Sequence, residues 1–219
     1  MLSLKQGLSL ETIQSLWSPI DDTSLEAWYQ FKNGIVLDGA KVTQWNDSSS
    51  NSHNMVQATS AQQPTYDTGA LAFNAASETN LQTTSQISIT ADFTLGIRMS
   101  PTSTDATFVG DNTSANQFFK ISAENEITIT TGSGSLLLTT AEELGDDYIV
   151  ITRSSGTFKL YRNGTLESSG TLAGTIEIDS IGVRATDANG FTGTIKEIQI
   201  YSSESAYLLN NINERLSIL

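Results

Sequence analysis

Two carboxylates lie two residues apart in the stretch Glu177-Ile178-Asp179. Strand-borne carboxylates can hydrolyse a glycosidic bond, because one attacks the sugar while another protonates the leaving group. A Glu-x-Asp-x-Glu or Glu-x-Asp-x-x-Glu pattern would place the acid/base carboxylate where this chain has Ile181 or Gly182. That carboxylate is missing, so we expect no enzymatic activity. We interpret Glu177 and Asp179 as solvent-facing positions of a strand.

His53 is the single histidine, and the chain contains no cysteine. A serine nucleophile would need His53 as its base, yet this residue lies in a polar turn and no nucleophile motif surrounds a candidate serine. One imidazole without thiolates also excludes the usual ligand pairs of zinc. The sequence therefore predicts a solvated loop position for His53 and no cofactor of this kind.

Short acceptor side chains occur in two stretches that have the composition of turns. These stretches contain Asp111 and Asn112, and Asp187 and Asn189. Their oxygens suit sugar hydroxyls or Ca²⁺, although Asp and Asn are also ordinary turn residues. If both loops lie at one end of a sandwich, these four residues form a glycan-binding site. Calcium is a separate expectation without EF-hand-like spacing, and it rests on the residues Asp21, Asp22, Asp47, Asp111 and Asp187.

The composition fits one domain of 219 residues. A formal charge of −13, from 24 acidic and 11 basic residues, argues against a nucleic-acid partner, because phosphate binding needs clustered Lys and Arg. No stretch approaches the roughly 20 apolar residues of a membrane span, and residues 1–24 lack the apolar block of a signal peptide. We therefore expect no membrane partner and synthesis in the cytoplasm.

A hairpin around Asn163-Gly164 is the clearest structural element. Phe158 and Leu160 alternate with polar neighbours before it, as on a strand with one buried face. Asn and Gly both tolerate positive φ, which a two-residue type I′ turn requires. Other short β-rich runs separated by Asn, Ser, Gly or Asp recur along the chain. The pattern predicts an all-β fold of two antiparallel sheets.

Both ends of the chain have helical spacing of apolar residues. Residues 1–24 contain Leu10, Ile13 and Trp17, which predict a short amphipathic helix or arm before the domain. This arm either folds back on the sandwich or docks on a neighbouring subunit. At the other end, Leu208, Ile212 and the residues around them share a helical face after serines that can cap a helix. We expect this second helix to pack on the sandwich.

Several motifs together resemble a known family. They are Trp28, Val42-x-x-Trp45-x-Asp47, Gln62-x-Pro64-x-Tyr66, the Phe158 to Gly164 hairpin, and the strand from Phe191 to Tyr201. This set is similar to the laminin-G-like, concanavalin A-type jelly rolls found in many structural proteins of tailed phages. The resemblance implies a jelly-roll sandwich over residues 25–219, preceded by the arm of residues 1–24.

Two functions follow from this resemblance. The first is a non-enzymatic structural protein of a phage virion, made in the host cytoplasm, whose arm ties it to copies of itself or to other virion proteins. The second is a lectin-like module that binds glycan through the loops at one end of the sandwich. A particle context favours the first, and a loop-end pocket with an exposed aromatic residue favours the second.

Overall fold

The computed structural model describes residues 17–114, 116–185 and 188–219. Alternating apolar side chains and frequent turn residues make this part of the chain almost entirely β. In chain order the strands are β1 Leu25–Tyr29, β2 Ile35–Asp38, β3 Lys41–Trp45, β4 Met55–Val56, β5 Thr65–Asp67, β6 Ala70–Phe73, β7 Leu81–Ile89, β8 Phe93–Pro101, β9 Ala106–Gly110, β10 Phe118–Ala123, β11 Glu126–Thr131, β12 Gly134–Thr139, β13 Asp147–Ser154, β14 Thr157–Arg162, β15 Thr165–Thr171, β16 Ile176–Ile181 and β17 Gly193–Tyr201. One α-helix, α1 (Ala206–Ser217), follows them.

The strands pair antiparallel in two layers. The first layer has the order β1-β17-β8-β13-β14-β15. The second has the order β2-β3-β4-β7-β16-β9-β10-β11-β12. Strands β5 and β6 link β3 to β17, so the sheet is nearly closed. The predicted all-β, concanavalin A-like sandwich is therefore confirmed.

The predicted hairpin forms between β14 and β15. Arg162 pairs with Thr165, which leaves Asn163 and Gly164 as a two-residue loop with φ values of 50° and 80°. Both values lie in the left-handed region that a type I′ turn needs. Asn163 also accepts a hydrogen bond from Tyr148 N–H at 3.1 Å, which joins the turn to β13. Local turn chemistry thus determines the register of this edge.

The main core fills the space between the layers. Trp45, Phe93, Phe119 and Phe158 are among its largest fully buried side chains. Phe93 and Phe119 come from opposite layers and stack with ring centroids 5.7 Å apart. Apolar burial of this kind is the main favourable contribution to folding.

A second apolar cluster covers the outer face of the first layer. Helix α1 contributes Leu208, Ile212 and Leu216 to it, as its sequence spacing predicts. The backbone of β8 approaches the helix closely, since a Cβ added at Gly96 would lie 2.6 Å from the Ile212 side chain. Trp17 is partly buried against the same cluster. Helix α1 and Trp17 therefore cover part of this outer face.

A buried carboxylate lies beneath α1. Glu197 of β17 is 0% exposed and receives the Trp28 indole N–H at 3.0 Å and the Phe31 backbone N–H at 3.0 Å. Gln199 donates to it at 2.8 Å, and Arg215 of α1 donates through Nη2 at 2.9 Å and through Nε. The Arg215 guanidinium also lies 4.7 Å from the Trp28 ring centroid. One side chain therefore ties together β1, β17 and the helix.

The outer face of the second layer carries no helix in the described part of the chain. Val36 and Val56 on this face are 44% and 41% exposed. Between them, Gln44 pairs directly with each. We call this outer surface of the second layer the open face.

Most of the predicted N-terminal helix falls on residues 1–16, outside the described residues, together with Leu10 and Ile13. Within the described range, Pro19–Asp21 forms a 3-10 turn in which Ser18 N–H donates to Asp21 Oδ2 at 2.9 Å. The described helix is too short and too polar to span a membrane.

Candidate functional site

The pairing of β7 with β16 breaks at one place on the open face. Ile178 pairs with Ile87, and the next pair is Ser180 with Gln82. Asp179 is therefore the only residue between these pairs on β16, whereas residues 83–86 separate them on β7. Because four residues of β7 face one residue of β16, β7 bulges opposite Asp179. Bulges are over-represented next to functional sites, because they redirect side chains.

His53 stabilises the bulge through a hydrogen bond to its backbone. Its Nδ1 lies 2.7 Å from the Ser85 carbonyl oxygen, and because a carbonyl only accepts, Nδ1 carries the proton. The Tyr29 hydroxyl donates to the His53 carbonyl at 2.7 Å. His53 is 8% exposed, so the prediction of a solvated loop residue was wrong. Its imidazole is a structural support for residues 83–86.

Two acidic side chains meet beside the bulge. Asp179 is 6% exposed, so its assignment to a solvent-facing position was also wrong. Its Oδ1 accepts a hydrogen bond from Asn112 N–H at 2.5 Å. Asp111 is 1% exposed, and its carboxylate is near enough to raise the pKa of the Asp179 carboxyl. The site therefore holds a buried carboxyl pair.

The surroundings of the pair leave one oxygen without a partner. Asp111 Oδ1 accepts from the Thr113 N–H at 2.7 Å and from the Thr113 hydroxyl at 2.6 Å. Asp111 Oδ2 is buried and has no hydrogen bond to the described residues. Burial raises the pKa of Asp179 to about 6; the Asn112 N–H opposes this shift, and the Asp111 and Glu177 carboxylates add to it. The pair is therefore suited to share a proton or to bind a cation.

A cleft of about 450 Å³ opens over this pair. Its lining consists of Gln82, Thr83, Thr84, Gln86, Asn112, Thr113 and Asp179. The side chains of Gln82, Thr84 and Gln86 make no hydrogen bonds with the described residues, and Asn112 Oδ1 is buried without a partner. Amides and hydroxyls without partners can donate to and accept from the hydroxyls of a polar ligand. The described lining contains no aromatic residue.

The loops predicted to bind glycan lie together. Ala185 N–H donates to the Asp111 carbonyl at 2.9 Å, which joins the two loops at one end of the second layer. Asn112 lines the cleft, and Asp111 is buried next to it in the chain. Asn189 faces elsewhere, because its Oδ1 accepts from Arg184 Nε at 3.0 Å and its Nδ2 donates to Asp105 at 2.5 Å. Asp187 lies outside the described residues.

The carboxylates considered for calcium are dispersed in the described part. Asp47 accepts hydrogen bonds from the backbone N–H groups of Trp28, Ser49 and His53, and Asp22 accepts from Ser24, so both stabilise turns. No group of three or more His, Cys, Asp or Glu side chains gathers within the described ranges. Among the described carboxylates, only Asp111 has a buried oxygen without a partner.

Comparison with known proteins identifies a family. The laminin G family model described as the concanavalin A-like lectin/glucanases superfamily matches residues 73–205. No curated protein matches this chain.

Solved structures share the fold at low sequence identity. Domain 4 of the extracellular arabinanase AbnA from Geobacillus stearothermophilus, solved with arabinotriose, has a TM-score of 0.61 at 17% identity and covers 87% of this chain and 97% of its own. The binding domain of Paraclostridial Mosquitocidal Protein 1 has a TM-score of 0.60 at 15% identity, over 91% of this chain and 52% of its own. A sialidase from Trypanosoma rangeli has a TM-score of 0.59 at 10% identity, over 90% of this chain and 33% of its own. This chain therefore spans about half of the second protein and a third of the third.

Replacing Asp179 by Asn tests the buried pair. Because the folded pKa of Asp179 is raised, its protonated form stabilises the fold below pH 4, and that stabilisation is lost as the pH rises through about 6. In chelator, Asp179→Asn should be about 2 kcal/mol more stable than the native chain at pH 8, and the two should converge near pH 4. Urea unfolding across this range measures the difference.

Asp38→Asn is the matched control, because Asp38 is exposed. The free energy of unfolding of Asp38→Asn should depend on pH in the same way as that of the native chain. A native chain whose stability does not change between pH 4 and 8 would contradict the buried pair.

Proposed function

Because this chain belongs to the concanavalin A-like lectin/glucanases superfamily, we propose that it is a carbohydrate-binding protein that holds glycan in the cleft beside Asp179. The observation that carries this proposal is the set of side chains without partners, Gln82, Thr84 and Gln86, gathered over a buried carboxyl pair on the open face. Sugar hydroxyls need this mixture of donors and acceptors. The arabinotriose bound to the Geobacillus domain gives a first probe.

The carboxylates of the cleft support binding without catalysis. Glycosidases hold their two carboxyl groups roughly 5 Å or more apart, so that the scissile bond fits between them. The Asp111 carboxylate instead adjoins the Asp179 carboxyl and helps to raise its pKa. Glu177, the third acidic residue of this region, is hydrogen-bonded by Gln117. We therefore propose a binding role for this site and no hydrolysis.

Glycan binding is tested by the double variant Thr84→Ala/Gln86→Ala. Both side chains are exposed and make no hydrogen bonds with the described residues, so their loss should leave folding intact. Loss of two hydrogen bonds should weaken binding by about tenfold. The native chain is first screened against a glycan array and then titrated by calorimetry with arabinotriose and the array hits.

The matched control is Ser169→Ala/Thr171→Ala, two exposed residues of β15 in the other layer. Its affinity should equal that of the native chain. Equal weakening by both double variants, or no binding of any glycan by the native chain, would contradict the proposal.

A calcium ion fits the same pair, and we propose that Asp111 and Asp179 hold it with the amide oxygen of Asn112. Carboxylate and amide oxygens are the ligands that Ca²⁺ prefers. Asp111 Oδ2 and Asn112 Oδ1 are buried without partners, as expected for groups that lack a ligand. A bound cation would neutralise the pair and fix the loop that lines the cleft.

Calcium at a hundredfold excess over its Kd should stabilise the native chain by about 2.7 kcal/mol. Calcium should not change the melting temperature of the variant Asp111→Asn. Magnesium should act more weakly, because it demands a stricter octahedral geometry. Thermal melting with each ion and with chelator measures these differences. Identical melting of the native chain in calcium and in chelator would refute the metal site.

We also propose that this protein is part of a tailed-phage virion. The support is the resemblance of its strand motifs to phage structural domains and the apolar residues of its first segment, including Leu10 and Ile13. Trp17 packs on the cluster beneath α1, so its own domain partly covers this residue. The preceding residues are proposed to bind a second copy or another virion protein.

Removing residues 1–16 tests this arm and retains Trp17. The full chain should form oligomers, whereas the shortened chain should be a monomer with an unchanged melting temperature. Trp17→Ala serves as the comparison, because it should lower stability by about 2 kcal/mol without changing oligomer size. Light scattering and melting measure both. Monomers at all concentrations for the full and shortened chains would contradict the arm.

A further inference from the structure

The cleft continues into a registered row of side chains on the open face. Gln82 of β7 pairs with Val56 of β4, Val56 pairs with Gln44 of β3, and Gln44 pairs with Val36 of β2. Directly paired residues of antiparallel strands project from the same face. The row therefore alternates amide and apolar groups across four neighbouring strands, and it begins at the lining of the cleft.

The row cannot continue in the opposite direction, from β16 toward β9. The row would continue from Ser180 to Gly110, but a Cβ at Gly110 would lie 2.7 Å from the Val183 carbonyl and 3.2 Å from the Arg184 side chain. The segment after β16 thus covers this part of the sheet, and Ser180 is fully buried. A ligand that extends beyond the cleft can only follow the row toward β2. Among the described strands β2 pairs only with β3, so the far end is open.

The dimensions of the row suit a sugar chain. Neighbouring strands lie about 4.8 Å apart, close to the length that one unit adds to an extended glycan. The exposed Val36 and Val56 side chains can contact the C–H faces of sugar rings. Gln44 Nε2 donates to Asn46 Oδ1, so Gln44 offers its amide oxygen to a sugar hydroxyl, whereas Gln82 offers its whole amide. One sugar unit would lie over each strand.

The charge of this surface selects among glycans. The described residues that line the cleft include no Lys or Arg, and the row consists of Val and Gln. In the calcium-free protein, Asp179 and Asp111 would repel a sugar carboxylate, and the described lining offers no Lys or Arg to pair with it.

Given the proposed glycan-binding function, we propose that the cleft and this row form one extended subsite for an unbranched, neutral oligosaccharide. The row binds about four units, from the cleft at Gln82 to the edge at Val36. In the absence of calcium, sugars that carry a carboxylate, such as sialic acid, are excluded from it.

Calorimetric titration with neutral oligosaccharides of increasing length tests the row. The probes are arabino-, xylo- and gluco-oligosaccharides of two to six units. Affinity should rise with length and level off near four units. Val36→Ser and Gln44→Ala should each weaken binding of the tetrasaccharide about fivefold and leave the disaccharide unchanged. Leu166→Ser, at a 52% exposed position of the other layer, is the control and should change neither affinity.

Lactose and 3′-sialyllactose differ by one sialic acid, so comparing their affinities tests the effect of a sugar carboxylate. In chelator, lactose should bind at least as tightly as its sialylated form. Affinity that does not depend on length, with Val36→Ser equal to the native chain, would overturn the extended row and leave the cleft function standing. Tighter binding of 3′-sialyllactose would overturn the exclusion of acidic sugars. No binding of any probe or array glycan would overturn the proposed function itself.

Discussion

The carboxylate of Glu197 is the interaction on which the rest of the structure depends. An ionised group without partners would be very costly at this depth, so its burial is tolerable only with the donors that surround it. Those donors come from the end of β1, from β17 and from Arg215 of the helix. The requirement to satisfy one charge therefore positions the C-terminal helix over the first layer. The second layer is left as the face without a helix.

The site itself departs from what stability alone would favour. Two carboxyl groups share one buried location, and one of their oxygens has no partner in the described chain. The strand register is broken at the same point, and His53 supports the bulge that results. Natural proteins break such local rules mostly at functional sites and compensate elsewhere. Here the compensation is an extensive aromatic core between the layers.

Sequence reasoning succeeded where the physics is local and failed where it is not. The Asn163-Gly164 turn follows from two residues that accept positive φ, and alternating apolar residues indicate the buried faces of the strands. Asp179 also lies in such a strand, but its burial depends on a register break with β7 and on Asp111, 68 positions earlier in the chain (179 − 111). His53 looked solvated because its partner Ser85 lies 32 positions later in the chain (85 − 53). No pattern of spacing within one segment reveals such contacts.

The attachment of Trp17 to the cluster under α1 has a consequence for orientation. This attachment lies on the outer face of the first layer, and the cleft opens on the outer face of the second. A chain tethered through its N-terminus would therefore display the proposed glycan-binding surface away from the support. Many copies held this way would present parallel, outward-facing sites to a polysaccharide coat. Individually weak contacts would then act together, because each later contact forms at a high effective concentration.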